Sequence, residues 1–255
     1  MRATTNFLLL TTVLTIPIAS CDKKSSENHK VNQLYITDKG DSLETGFWIF
    51  EPGASGVRKS GNFKDGFRDG AWTYRTKTDS TTIKWTVLNM DSLKLNLPDY
   101  VALTNQELPV VFLGTIRGDS EHCYYTLLQY DLKVVKASVY DYIFQYIQSL
   151  ERSSLERLRA REIKKFNFKT TEVFRIKINL EGDRTYQAIS YVFTFNDILY
   201  DLTYRDEEDR VGGTELEVFN DILYSFRTND FDLFNFNNKQ YTKEEDVDVR
   251  TPIQN

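Results

Sequence analysis

The sequence predicts an α+β protein in which a small β-meander is followed by an antiparallel sheet with helices packed against it. Three observations point there. The segments Gly46-Phe47-Trp48-Ile49-Phe50 and Gly70-Ala71-Trp72-Thr73-Tyr74 repeat one Gly-x-Trp-x-aromatic element at a spacing of 24 residues, and a copy too small to bury its own apolar face must stack on the next. Later runs alternate apolar with polar residues at period two, as half-buried strands do. Two further stretches carry apolar residues at helical spacing behind a capping signal. The chain has 255 residues, 40% of them apolar, with 17 Phe and 15 Tyr and only 2 Cys. This is too apolar for a disordered chain and too poor in cysteine for a disulfide framework, and the length allows one or two domains.

The first element is an address. Residues 1–20 hold one charge, Arg2, then an apolar run over 7–18 and the small residues Ala19 and Ser20. The run is too short to span a bilayer, which needs about twenty helical residues, and the pattern is that of a secretory signal peptide. Ile18-Ala19-Ser20-Cys21 resembles the lipobox of bacterial lipoproteins. That resemblance implies cleavage before Cys21, a diacylglycerol on its thiol, and a membrane partner through the lipid. Two or three acyl chains at about 0.8 kcal/mol per buried methylene hold a protein firmly. Residues 21–32 are polar and read as a flexible tether. Removing residues 1–20 leaves 31 basic and 37 acidic residues, a formal charge of −6, which excludes a nucleic-acid partner bound by phosphate neutralisation.

Residues 33–80 are read as the meander. Asp65-Gly66 and Asp69-Gly70 are hairpin dipeptides, and Trp48, Phe50, Phe63, Trp72 and Tyr74 fall on its packed face and are the candidate interaction residues. The pattern Gly61-x-Phe63-x-x-Gly66-x-x-x-Gly70-x-Trp72-x-Tyr74 resembles the MORN-type repeat in its bacterial variant, over about one and a half copies. The resemblance implies an interaction or scaffold module and brings no catalytic residue with it.

The second unit is expected over residues 81–229. Strands are predicted at 83–88, at 93–97 before Pro98, at 110–116 and at 123–135. Ser138 with Asp141 is a capping box, followed by Val139, Ile143, Phe144, Ile147 and Leu150, so a helix is predicted over 139–150. A second helix with mixed charge is expected over 154–165, read as a solvated face. Strands return at 171–179, 186–195 and 198–204. Thr214 with Glu217 is a second capping box, and Leu216, Phe219, Ile222, Leu223 and Phe226 form the apolar stripe of a closing helix. In residues 230–255, Phe231, Leu233, Phe234 and Phe236 are expected to dock and the charged remainder is not.

This order of elements, with the strand ending at Pro98 and the terminal Phe219-x-x-Ile222-Leu223-x-Ser225-Phe226, resembles the PsbP-like family. The resemblance covers 82–228 and implies an α/β/α sandwich and an accessory or binding role.

For chemistry, no nucleophile elbow, Walker loop, dinucleotide fingerprint, zinc-protease motif or paired CxxC is present. The only histidines are His29 and His122, so an enzyme is not expected, nor is a cofactor. Cys123 has no disulfide partner once Cys21 carries lipid and reads as a small buried residue. The run Asp206-Glu207-Glu208-Asp209 lacks the alternating ligand spacing of a calcium loop; it reads as an exposed loop, and no metal is expected. Asp41-Ser42-Leu43, Asp79-Ser80-Thr81 and Asp91-Ser92-Leu93 resemble the O-glycosylation sequon of Bacteroidota. Together these features predict a non-catalytic envelope lipoprotein whose partner is another envelope protein, with an immunity protein or a small-ligand carrier as the alternatives.

Overall fold

Six strands follow one another as hairpins from the first described residues. They are β1 (Gln33–Ile36), β2 (Ser42–Phe50), β3 (Arg58–Lys64), β4 (Phe67–Arg75), β5 (Ser80–Asn89) and β6 (Lys94–Pro98), each antiparallel to its chain neighbour. The computed structural model describes residues 32–36, 42–103, 109–115, 123–168, 171–228, 232–234 and 244–248. The leader, Cys21, the tether up to residue 31, His29, His122, Phe231 and Phe236 lie outside the described residues.

The repeat noted in the sequence has a backbone counterpart. Gly46 and Gly70 both take positive φ, 71° and 65°, a conformation that costs glycine little, and each is followed two residues later by a tryptophan on the same strand. Between them, β3 bulges at Gly61. A Cβ on Gly61 would stand 2.4 Å from the Trp72 indole. That ring cannot retreat, because Trp72 is fully buried and its Nε1–H donates to the Asn62 carbonyl at 2.9 Å.

β5 and β6 were expected to open the second unit; they instead complete the first sheet, which runs to Pro98. Alternation at period two specifies a strand and its faces but not the sheet it joins. Ile83 pairs directly with Trp72 across β4 and β5, so the buried face is continuous.

The second sheet contains β7 (Ala102–Leu103), β8 (Val110–Thr115), β9 (Tyr124–Asp131), β10 (Arg157–Phe168), β11 (Thr171–Glu181), β12 (Thr185–Phe195), β13 (Ile198–Glu207) and β14 (Glu245–Asp246). Its order is β14-β10-β11-β12-β13-β9-β8-β7, antiparallel throughout. Among the described residues, three helices accompany it: α1 (Leu132–Val135), α2 (Val139–Glu151) and α3 (Gly213–Tyr224). The protein is thus mostly antiparallel sheet with few helices, a mixed α+β class.

The capping box of Ser138 and Asp141 starts α2 as expected. Ile143 and Ile147 of α2 pack on Phe174, Ile176, Ile178 and Val192 from one face of the sheet. On the opposite face, Phe219, Ile222 and Leu223 of α3 share one core with Phe193, Leu202 and Tyr204 of the sheet and with Trp72, Trp85 and Leu95 of the meander. The layers therefore run meander, α3, eight-stranded sheet, α2. Among the described residues no helix is long and apolar enough to cross a membrane.

Four local expectations are corrected. Residues 157–168 form strand β10, not a helix, because Ile163 and Phe166 supply opposite faces of a strand buried on both sides. The strand expected over 123–135 ends at Asp131, whose carboxylate accepts from the Lys133 and Val134 amides and starts α1. α3 begins at Gly213, one residue before the expected box, and its N-cap Gly212 has no side chain to cap with; Glu217 of the expected box pairs instead with Lys59 at 2.7 Å. In the C-terminal segment Leu233 and Phe234 are buried as expected, but part of the charged remainder, expected not to dock, does so, with Glu245–Asp246 pairing with Lys164 and Lys165 of β10.

Replacing Gly61 by Ala should destabilise the protein by about 1–3 kcal/mol, the usual cost of overpacking a filled core. Urea unfolding of the two proteins measures it, and an unchanged midpoint would mean that the Trp72 ring can shift.

Candidate functional site

A cleft of about 820 Å³ opens where the meander meets the N-terminus of α3. Four segments line it: the β4–β5 turn with Thr76 and Asp79, the start of β5 with Thr81, Thr82 and Ile83, the link after β6 with Asp99 and Tyr100, and the first turn of α3 with Gly213, Thr214 and Glu215.

Each segment is fixed by local bonds. The Thr76 hydroxyl accepts from the Asp79 amide at 2.9 Å, and the Asp79 carboxylate accepts from the Ser80 amide at 2.7 Å, which closes the turn. The Asp99 amide donates to the Lys84 carbonyl at 2.9 Å and pins the link to β5. At α3, the Tyr125 hydroxyl donates to the Glu215 carboxylate at 2.7 Å. Burial and the Glu215 charge push the Tyr125 and Tyr100 phenols well above their usual range, so both rings stay neutral.

One layer deeper, on the face of α3 that meets the meander, charges are buried together. Asp221, 1% exposed, accepts from Lys59 Nζ at 2.8 Å and from the Tyr74 hydroxyl at 2.7 Å, and lies 2.6 Å from the Arg68 guanidinium. Glu217, one turn earlier on the same face, takes a second contact from Lys59 at 2.7 Å. Arg68 is itself walled by rings, its guanidinium carbon 4.7 Å from the centre of Trp72, 5.3 Å from Phe63 and 5.4 Å from Trp85. Burial, and then the Asp221 charge, raise the Tyr74 phenol far above its usual value.

Beneath α2 lies a second polar group of a different kind. Asp201 of β13 is buried and accepts from Tyr142 at 2.6 Å and Thr203 at 2.8 Å, and Thr203 in turn contacts Ser190 at 2.5 Å. Hydroxyls, not cations, surround this carboxylate. Desolvation raises its pKa, and the two hydrogen bonds offset only part of that. Nearby, Arg205 stacks 4.5 Å over Tyr186 and is paired with Glu156.

Of the five candidate interaction residues, Phe63, Trp72 and Tyr74 are buried, while Trp48 and Phe50 stand half-buried at the rim of the same ring cluster. The structure brings them together as an interior, where Phe63 and Trp72 wall Arg68 and Tyr74 binds Asp221. The acidic run is not one exposed loop. Asp206 is buried and accepts from Tyr204, Glu207 pairs with Arg184 and Arg210, and Glu208 pairs with Arg159. Among the described residues no group of three or more His, Cys, Asp or Glu comes together as a metal site. Cys123 is buried just before β9. The cleft itself went unseen in the sequence, since its residues come from four separated segments with no motif. Asp221 did leave a trace, a carboxylate set between Phe219 and Ile222 of the apolar stripe.

No protein-family model matches the chain, and no curated protein matches it. Among solved structures, the cyanobacterial PsbP protein CyanoP from Synechocystis is similar at a TM-score of 0.42 and 11% identity, over 57% of this chain and 92% of that one. A Pseudomonas aeruginosa protein of unknown function, PA94, is similar at a TM-score of 0.31 and 14% identity, over 49% of this chain and 84% of that one. Likeness this low defines neither fold nor function; the strand order defines the class, a layered, predominantly antiparallel α+β protein.

Two outcomes follow from the buried carboxylates. Asp221→Ala leaves Arg68 buried without its carboxylate and Lys59 with Glu217 alone, and should cost about 3–5 kcal/mol, read by urea unfolding; a loss below about 1 kcal/mol would show that the cluster does not hold the layers. For Asp201 the folded pKa lies above the unfolded one, so between the two values the folded state binds more protons and stability falls as pH rises. Asp201→Asn removes that slope. The stability difference, variant minus wild type, should therefore grow from pH 4 to pH 7, and a difference independent of pH would contradict the assignment.

Proposed function

We propose that the protein is a membrane-anchored module of the cell envelope that binds a partner without catalysis, and that the cleft between the meander and α3 is its binding surface. The observation that carries this reading is the cleft itself: about 820 Å³, lined by hydroxyls, carboxylates and one half-open tyrosine. It is set on a frame of buried ion pairs. Pockets of roughly 300–1,000 Å³ are the usual size for small-ligand sites.

The leader and the Ile18-Ala19-Ser20-Cys21 lipobox support the anchor, with an acylated Cys21 and a polar tether holding the body away from the bilayer. The matched glycines Gly46 and Gly70, each two residues before a tryptophan, support a MORN-like reading of the meander. The placement of α2 and α3 on opposite faces of one antiparallel sheet supports a PsbP-like reading of the second layer. In this reading the partner is another envelope protein. A small-ligand carrier is the second reading, favoured by the volume of the cleft.

Cys21→Ser should move the protein from the membrane fraction to the soluble fraction after cell fractionation, and unchanged membrane association would refute the anchor. Crosslinking from intact membranes with a photoreactive group at Thr82 should capture a partner, and a group on the far face at Ser149 should not. Equal capture at both positions would refute the cleft as the binding surface.

A further inference from the structure

The outer edge of β10 is basic and only partly covered. Over Arg157–Phe168 the strand carries Arg157, Arg159, Arg161, Lys164 and Lys165 against the single acid Glu162. Its inner edge pairs with β11 from one end to the other. On the outer edge the described residues bring only β14, two residues long, with Glu245 opposite Lys165 and Asp246 opposite Lys164. The Val247 amide adds one bond to the Ile163 carbonyl at 2.9 Å. Backbone groups alternate sides along an antiparallel strand, so Arg161 presents its amide and carbonyl on the same outer side as Ile163. A long edge strand with such groups is a template for another strand.

We infer that this edge receives an extended acidic segment of a partner protein by strand addition, and that β14 is the chain's own occupant of the site, which the partner displaces. No residue lining the cleft belongs to β10, β11 or β14, so this surface and the cleft stand or fall separately.

β14 shows what fits. Glu244 lies 3.2 Å from Lys164 and 3.1 Å from Arg175, while Val247 packs against the cluster that holds Ile143, Ile147 and Ile163. The matching segment is therefore a strand with carboxylates for Lys164, Lys165 and Arg175 and an apolar residue for Ile163. In strand addition the main-chain bonds supply affinity and the alternating side chains supply selectivity. β14 also shows why the site can open. Two residues are few beside a usual strand of about five, and the side chains of Lys164, Arg175 and Glu244 keep enough contact with water that their ion pairs add little. The same reasoning excludes a second copy of the chain. A segment tethered through a short linker acts at an effective concentration on the order of millimolar, and a second copy would bring the same short strand without that tether. A partner with a longer acidic strand gains what β14 does not use, the backbone groups of Arg161.

The test uses the full chain in detergent and a fluorescent peptide, Thr-Lys-Glu-Glu-Asp-Val-Asp-Val, which copies residues 242–249. Two variants open the site. Val247→Pro removes the amide that bonds to Ile163, and Asp246→Lys, at an exposed position, sets a like charge opposite Lys164. By fluorescence anisotropy the peptide should bind both variants at least tenfold more tightly than wild type. Adding Lys164→Glu to either should weaken that binding at least tenfold, and a peptide with its acids replaced by lysine should not bind. Hydrogen exchange at the Arg161 and Lys165 amides should slow when the peptide is bound. Equal affinity for wild type and both opened variants, no effect of Lys164→Glu, equal binding of the lysine peptide, or unchanged exchange along β10 overturns the inference. Sedimentation velocity should find the same monomer in wild type and Val247→Pro; a wild-type dimer that Val247→Pro dissolves would give the edge to a second copy and overturn the partner. In intact membranes, a photoreactive group at Glu162 of Val247→Pro should capture a partner through an acidic extended segment, and no capture, or capture through a segment without acidic residues, overturns it.

Discussion

The carboxylate of Asp221 fastens the meander to α3, the helix that lies between it and the second sheet. The meander and the eight-stranded sheet are separate hydrogen-bonded ladders, and the bridge between Lys94 and Arg227 ties the meander to the segment that follows α3. Apolar burial around α3 brings the layers together, but burial is non-directional and tolerates sliding. Charge-assisted hydrogen bonds are directional. Lys59 from β3, Arg68 and Tyr74 from β4 and Asp221 from α3 therefore fix how the meander sits on the helix. A buried ion cluster adds little net stability over well-packed apolar residues, so its role is placement. The walls of the cleft belong to β5 on one side and α3 on the other, and its shape depends on that placement.

The fold was legible wherever one element could be read from its own residues. The capping box at Ser138 and Asp141, the alternation in β11 to β13 and the stripe of α3 were all local signals. β10 was not legible in that way. Its Arg, Glu and Lys residues fit a solvated helix equally well, and what makes it a strand is distant. Lys165 pairs with Glu172, Arg175 meets Glu162, and Glu244 joins Lys164 to Arg175. The same limit applies to sheet membership. β5 and β6 were recognised as strands, yet it is the ladder of β5 against β4, with Ile83 opposite Trp72, that places them in the meander.

β13 shows a further reason why the site escaped a sequence reading. It is central and covered on both faces, so all but its two end residues are buried, polar ones included. Tyr200, Leu202 and Tyr204 face α3, while Asp201, Thr203 and Arg205 turn toward α2 and satisfy one another, the α2 tyrosines and Glu156. Alternation at period two suggested polar residues facing water. Here they form a buried network under a helix, where a carboxylate is satisfied by hydroxyls instead of cations.

The aromatic repeat is the most visible feature of the sequence, and its physical role explains why binding is sought elsewhere. Phe63, Trp72 and Trp85 wall the Arg68 guanidinium, whose side chain is only 7% exposed. A guanidinium is more weakly hydrated than an ammonium and stacks on rings, so these walls let a charge cross the meander's interior and reach Asp221. The rings that resemble an interaction face are thus occupied by the protein's own arginine. Damage to any of them would release Arg68, let the meander shift on α3, and deform the cleft from a distance. A loss of binding caused by an aromatic substitution would then look like a lost contact while being a lost position. The exposed rim residues Asp79 and Asp99 lie outside both the cage and the Asp221 cluster, so changes there would alter the cleft's lining while leaving the frame that supports it intact.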